Sequence, residues 1–382
     1  MSHALLSPSA ASRWLKCTPA PRLEALFPDK TSPYAEEGTL AHELCEVLLR
    51  QAYDGVDLSD RVAAIRANPL YSGEMQETAE DYAAFVMERL AAARHTTPDA
   101  QLFIEQRINL TAYVPDGFGT VDALIIADDL VEVIDFKYGK GVAVSAERNP
   151  QMMIYALGAV SLHDALFNIR RVRLTIIQPR IHNSNSWELV ANELREWGRA
   201  VLLPLARQAF EGEGKQVTGD HCRFCRAKGV CRALADEADA MVDEADATAG
   251  GKLLTAAELA ERLPHFDRVE SYIEAAKEAA LALALDGETL PGFKVVEGRS
   301  VRKITDENEL ANRALCAGFD EAMLYKPRSL ETLTNLEKLI GKKQFAAIAE
   351  GLIDKPQGKP TLVPEDDKRP AMVIHLDDFI SD

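Results

Sequence analysis

Asp122, Asp135 and Lys137 lie in the stretch GTVDALIIADDLVEVIDFKYGKG, and Gln151 and Tyr155 follow in NPQMMIYALGA. VDALIIA and LVEVIDFK are rich in β-branched residues and predict two strands, with Asp128 and Asp129 in the turn between them. Side chains alternate along a strand, so Asp135 and Lys137 point to one face. A hairpin here brings Asp122 close to Asp135. Two carboxylates at one point make a hard oxygen site suited to Mg²⁺ or Mn²⁺. Such an ion polarises a phosphoryl oxygen and helps generate hydroxide. A lysine beside it can orient the water and stabilise charge in the transition state. Gln151 and Tyr155 are four residues apart and share a helix face that can reach the same point. Asp-x-Lys by itself is more often a solvated pair on a strand than a catalytic one. The joint pattern of Asp, Asp-x-Lys and Gln-x-x-x-Tyr points to metal-dependent phosphodiester cleavage.

At these residues the chain resembles the PD-(D/E)XK nuclease superfamily and, within it, the RecB-like nucleases. In that group a helix-borne histidine precedes the strands, and GTLAHELCE supplies His42. The resemblance implies that His42, Asp122, Asp135 and the backbone carbonyl of Phe136 are metal ligands. It implies that Lys137 is the catalytic lysine and that Gln151 and Tyr155 form the last motif. A lone histidine carries little information by itself. Glu105, in LFIEQRINL, stands where many relatives carry an acid; it is either a second-metal ligand or an ordinary strand glutamate.

The cysteines supply a separate line. Cys222, Cys225 and Cys231 cluster, and three thiols lack the fourth ligand of a closed metal site. Cys17, in SRWLKCTPAPRLE, is the natural fourth. One upstream and three downstream cysteines around such a core resemble the iron–sulfur nucleases of helicase–nuclease and CRISPR-associated systems. The implied cofactor is a [4Fe–4S] cluster tying the two ends of the domain. The alternative is zinc, with His221 as a further candidate ligand. Cys45 and Cys316 read as ordinary small buried residues. No secretory signal and no bilayer-length apolar run is visible, so a reducing compartment and free thiols are expected.

The chain has 382 residues and a net charge of −17, an awkward balance for a DNA-binding protein. The charge is uneven. Lys137, Lys140, Arg148, Arg170, Arg171, Arg173 and Arg180 lie close in sequence, whereas DEADAMVDEAD is strongly acidic. DNA contact is therefore expected in a basic groove formed by the former stretch.

Several elements must position these residues. A short helix is expected over Ser9–Phe27, then helices over Glu36–Tyr53 and Ser72–Arg94. Strands are expected at Leu102–Leu110, Gly119–Ala127 and Leu130–Lys137. A helix over Pro150–Leu162 and a strand in RVRLTIIQPR follow, and a helix over Asn192–Glu211 leads to the cysteines. Beyond them, Leu254–Leu285 reads as helix interrupted at Pro264. Gly292–Lys303 reads as a hairpin, with short helices near Glu307–Cys316 and Leu330–Ile340. The fold class is α/β: a restriction-endonuclease-like core with a mixed central sheet flanked by helices, plus a mainly helical C-terminal region. The expected domains are residues 1–235, a nuclease domain closed by the four-cysteine site; 236–290, a helical connector; and 291–382, a small α+β accessory region with an acidic tail.

End to end, the chain looks like a phage and prophage family catalogued as domain of unknown function 2800. GFGTVDALII, IDFKYGKGVAVSAERNPQMMIYALGA, VEGRSVRK and GKPTLVPEDDKRPA carry that resemblance. It implies an exonuclease working beside phage recombinases in the bacterial cytoplasm. DNA is the expected partner, together with a single-strand annealing recombinase or single-strand binding protein docked by the acidic tail Asp377–Asp382. A homo-oligomer is compatible with the sequence, and a membrane role is not expected. The alternatives are a structure-specific endonuclease, or a nuclease-fold DNA-binding module active only with a recombinase or helicase.

Overall fold

The computed structural model describes residues 4–28, 32–164, 166–247 (backbone alone for 242–247) and 253–296, with 312, 313, 316, 341, 345 and 349. The chain divides into two compact units, Met1–Gly298 and Arg299–Asp382. Only the first is described at length. The expected helices over Glu307–Cys316 and Leu330–Ile340, most of the expected hairpin and the acidic tail lie mainly or wholly outside the described residues.

The first unit is mixed α/β. Its sheet runs β1 (Gln101–Asn109), β2 (Phe118–Ala127), β3 (Leu130–Phe136), β4 (Arg171–Gln178) and β5 (Asn183–Val190), in that spatial order. Neighbours are antiparallel except β3 and β4, which are parallel. A parallel pair needs a long crossover, and here it contains the helix Pro150–His163.

Helices precede the sheet in the order α1 (Ala11–Trp14), α2 (Ala20–Glu24), α3 (Pro33–Asp54), α4 (Ser59–Arg66) and α5 (Gly73–Thr96). The single helix expected over Ser9–Phe27 is broken. Pro19 disfavours helical geometry at Thr18 before it, and Cys17 falls in the gap. α3 has Ser32 as N-cap, accepting from the Ala35 N–H at 3.2 Å, and Pro33 at its first position. It stops at Gly55, whose φ of 68° suits a left-handed C-cap. α6 (Pro150–His163) begins on Asn149, which accepts from the Met152 N–H at 3.3 Å. α7 (Ala191–Trp197) and α8 (Leu203–Glu211) are joined by a π-helical turn over Gly198–Leu202. Pro204 cannot donate and would press on the carbonyl four residues back, and a widened turn relieves both problems. α9 (Arg232–Ala247) and α10 (Ala256–Leu285) complete the unit. α10 does not break at Pro264, contrary to expectation: a Thr255–Glu258 capping box starts it, and the helix absorbs one missing hydrogen bond.

The sheet separates two apolar clusters. One gathers α6 with Trp14, Leu124, Val133 and Leu174; the other gathers α3 and α5 with Ile104, Ile125, Ile134 and Phe136.

Candidate active site

The pleat reverses where the acids lie. Ile104 belongs to the α3/α5 cluster and Ile108 to the α6 cluster, although simple alternation would put both on one face. Ala123 and Val121 on β2 change sides in the same way. The two reversals meet at one rung. The β1–β2 pairs run through Ile104↔Ala123 and resume at Gln106↔Val121, leaving Glu105 opposite Asp122. Glu105 takes a left-handed φ of 51°. That conformation costs a non-glycine residue about 1–2 kcal/mol. Such strain is held where surrounding structure over-determines it, and it concentrates at functional sites.

On the other side, the β2–β3 ladder ends at Ala123↔Ile134, so Asp135 stands one step on, opposite Asp122. Glu105, Asp122 and Asp135 therefore form one row across three strands. In place of a ladder bond, Asp122 Oδ2 accepts from the Phe136 N–H at 2.7 Å. α3 supplies His42, whose Nδ1 is 3.4 Å from Asp122 Oδ1. Its ring meets the Phe136 ring edge-on at 5.2 Å between centroids. Lys137 Nζ lies 2.8 Å from Asp135 Oδ2 and donates to Gln151 Oε1 at 3.1 Å. Gln151 Nε2 closes the triangle onto Asp135 Oδ1 at 3.0 Å. Tyr155 follows one turn along α6.

Charge explains the protonation states. Burial alone would lower His42, but the Asp122 carboxylate lifts it to about 9. Burial pushes Asp122 up, and His42 with the Phe136 N–H more than offsets it, holding the carboxyl below its usual range. Burial dominates at Asp135 and raises it despite Lys137. Glu105 is raised to about 7 by burial and the neighbouring Asp122. Lys137 would be lowered by burial, yet Asp135 and Asp122 raise it, so it remains an ammonium. Tyr155 is raised by burial and both aspartates and stays neutral.

The donor set fits a divalent cation. One ligand atom from each of His42, Glu105 and Asp122 lies within 4.8 Å of the others. The buried Asp135 Oδ2 lies 2.8 Å from the Lys137 ammonium. Carboxylate oxygens suit Mg²⁺ or Mn²⁺, and His42 would give up its proton to ligate either ion. Glu105, left open by its sequence, is thus grouped with His42 and Asp122, while Asp135 is held by Lys137 and Gln151.

Other supports carry no motif. Gly119 admits Tyr155: a Cβ there would sit 2.6 Å from Tyr155 Cε1 and 3.2 Å from Pro8 Cγ. The loop leading from Lys137 to α6 is fastened by buried amides. Gln178 donates to the Gly139 and Val142 carbonyls, and Asn185 accepts from the Ala146 N–H at 2.6 Å. Arg50 Nη2 donates to the Ile104 carbonyl at 3.1 Å, beside the strained residue.

The basic stretch expected to form a groove is largely engaged inside the protein. Lys140 and Arg180 pair with Glu74, Arg171 with Asp129, and Arg173 with Glu132 and Glu188.

The cysteines lie at one end of the unit. Cys17 follows α1; Cys222 lies within the turn Asp220–Phe224 and Cys225 just after it; Cys231 precedes α9. Buried Glu24 joins the two segments, accepting from Arg13 Nε at 2.8 Å and from the Arg226 N–H at 3.0 Å. Cys222 feels the charges of Cys231 and Cys17, and all four thiols are free. Among the described residues, no three of these sulfurs lie within 4.8 Å of one another. One tetrahedral zinc, at Zn–S of ~2.3 Å, would draw thiolates to about 3.8 Å apart. His221 Nε2 is 2.9 Å from the Val217 carbonyl, and its Nδ1 is buried without a partner. Cys45 is buried, as expected, but Cys316 is exposed. Among the described residues no helix is long and apolar enough to cross a membrane.

The family model described as "Protein of unknown function (DUF2800)" matches residues 3–370. A solved structure titled "Crystal structure of SSO0001" is 16% identical over 59% of this chain and 95% of that chain, at a TM-score of 0.23.

Proposed function

We propose that this chain, which belongs to the DUF2800 family, is a metal-dependent deoxyribonuclease of the PD-(D/E)XK type, an exonuclease acting at DNA ends in phage-type recombination. The observation that carries the reading is the acidic row Glu105–Asp122–Asp135 with His42 against Asp122 and Lys137 against Asp135. His42, Glu105 and Asp122 would hold the cation. A bound Mg²⁺ or Mn²⁺ supplies Lewis-acid polarisation of the phosphoryl oxygen and a more acidic water.

The protein's own groups do the rest. Lys137 is charged, so it acts as a hydrogen-bond donor to the attacking water or the phosphoryl oxygens rather than as a base. Gln151 holds both Lys137 and Asp135 and sets the direction of the ammonium. Tyr155 keeps its proton and presents a neutral wall beside the scissile strand. A [4Fe–4S] cluster on Cys17, Cys222, Cys225 and Cys231 would tie the two ends of the domain. A single-strand annealing recombinase or single-strand binding protein is the proposed partner.

The test is cleavage of linear, circular, blunt and flapped DNA with Mg²⁺, Mn²⁺ or EDTA. Metal-dependent loss of linear DNA from its ends, abolished in Asp135→Ala, is expected. Equal degradation by that variant and the parent would overturn the assignment.

A further inference from the structure

A groove of about 1570 Å³ crosses the cysteine end of the first unit. Its walls are the N-terminal segment, the cysteine turns and α10. Small-molecule pockets run to roughly 300–1,000 Å³, so this volume suits a stretch of polymer. The lining includes Lys16, Leu26, Phe224, Arg226 and Val230. Phe224 is 76% exposed and Leu26 is 77% exposed, large apolar groups without a cover.

The charge on one wall is positive although the chain carries −17. The cysteine wall lines the groove with Arg226 and Lys228 against one acid, Asp220. Lys16 is exposed nearby, close enough to His221 for its charge to be felt there. The one acid on the N-terminal wall, Glu24, is already satisfied by Arg13 and the Arg226 N–H. The Arg223 guanidinium lies over the Phe224 ring, 5.5 Å from its centroid. The other acids in the lining, Glu278 and Asp286, lie on the α10 side. A polyanion would therefore track the N-terminal and cysteine wall.

The groove leads toward the acidic row. Ser7 and Ser9 line it, and Pro8 between them packs beside Gly119 and Tyr155. One turn of chain thus separates the groove from the candidate site.

We infer that this groove binds single-stranded DNA and carries it past Phe224 to or from the candidate active site. The inference rests on the nuclease reading for its direction, though binding does not depend on cleavage. Exposed aromatic and apolar groups beside cations stack on base faces, which are free in a single strand and covered in a duplex. Phosphates then meet Lys16 and Lys228, with Arg223 beside Phe224.

The test uses the full chain in EDTA, with fluorescein-labelled oligo(dT) of about 20 nucleotides and fluorescence anisotropy at one fixed salt concentration. The parent should prefer the single strand to a duplex of equal length. Lys16→Glu with Phe224→Ala should weaken binding at least about tenfold, and Leu26→Ala, outside the cysteine turns, should weaken it too. A 4-thiothymidine oligonucleotide should photo-cross-link to residues 4–28 or 220–232 of the parent. Unchanged affinity in these groove variants, equal affinity for duplex, or cross-links confined elsewhere would overturn the inference. Absence of cleavage with Mg²⁺ would remove the nuclease reading and leave the binding result standing.

Discussion

Glu105 stands opposite Asp122 at the rung where the pleat of β1 and β2 reverses, and it does so in a left-handed conformation. The strain and the carboxylate can be separated by mutation. Glu105→Gly removes a left-handed penalty of about 1–2 kcal/mol and adds back roughly 0.5–1 kcal/mol of chain entropy. It also removes a carboxyl that burial and the neighbouring Asp122 raise to about 7. The variant is expected to melt in EDTA at or above the parent temperature, while Mn²⁺ binding by calorimetry falls at least tenfold, a loss of about 1.4 kcal/mol. A lower melting point with undiminished Mn²⁺ binding would show that Glu105 serves the fold and not the cation.

Lys137 and Asp135 divide the work differently. Lys137→Ala removes the ammonium 2.8 Å from Asp135 Oδ2 but leaves the His42, Glu105 and Asp122 donors in place. Cleavage should fall about 10²–10³-fold, the range for losing a donor aimed at developing charge. Mn²⁺ binding should persist. If binding disappears with activity, Lys137 is organising the ligand set instead.

Much of the site was legible because chemistry-bearing residues sat at strand and helix spacing: Asp122, Asp135, Lys137, Gln151 and Tyr155 all fall close together. The reversal at Glu105 was not legible, since glutamate has no preference for left-handed geometry and the constraint comes from neighbouring strands. β5 was missed for a different reason. NSNSWELV is an edge strand with every second residue exposed, and its asparagines and serines disfavour strand locally; only Trp187 and Leu189 signal it. α4, short and mostly exposed, was missed too. The Glu74, Asp129, Glu132 and Glu188 partners of the basic stretch were not legible, because sequence shows charges and not their pairing.

Two glycines separate packing from positioning. At Gly119 an added methyl meets the Tyr155 ring at 2.6 Å, and a ring wedged on α6 cannot swing clear. At Gly158 it meets Ile108 Cγ2 at 2.0 Å, away from the acids. Each alanine variant should lose about 1–3 kcal/mol of stability by urea titration, the usual range for overpacking. Only Gly119→Ala should also lose cleavage when both are assayed well below their melting points. Equal residual activity in the two would remove Tyr155 from the site.

The cysteine end has its own colour test. Protein purified without oxygen should be brown and carry about four iron atoms per chain. Cys17→Ser should lose the colour, because the upstream thiol is the ligand that joins the two ends. A colourless parent with stoichiometric zinc would replace the cluster with a metal that needs tighter thiols than the present arrangement provides.

Glu237 on α9 braces α10 through Arg268 and His265. α10 in turn packs against the turn holding Gly229, where an added Cβ would lie 2.4 Å from the Ala275 carbonyl. The hydrogen bond from Arg268 comes first among the causes that depress Glu237 from 4.5 to about 2. A carboxyl depressed on folding binds fewer protons in the native state, so its contribution is complete above the unfolded value and fades as pH falls toward the folded one. The window here is therefore roughly pH 4.5 down to 2. Hydrogen exchange of α10 should be faster in Glu237→Gln than in the parent at pH 6, and the two should converge as pH approaches 2. Because α10 forms one wall of the groove, the same variant should weaken oligo(dT) binding near neutral pH despite removing a negative charge. Tighter binding in Glu237→Gln would show that charge outweighs the position of α10.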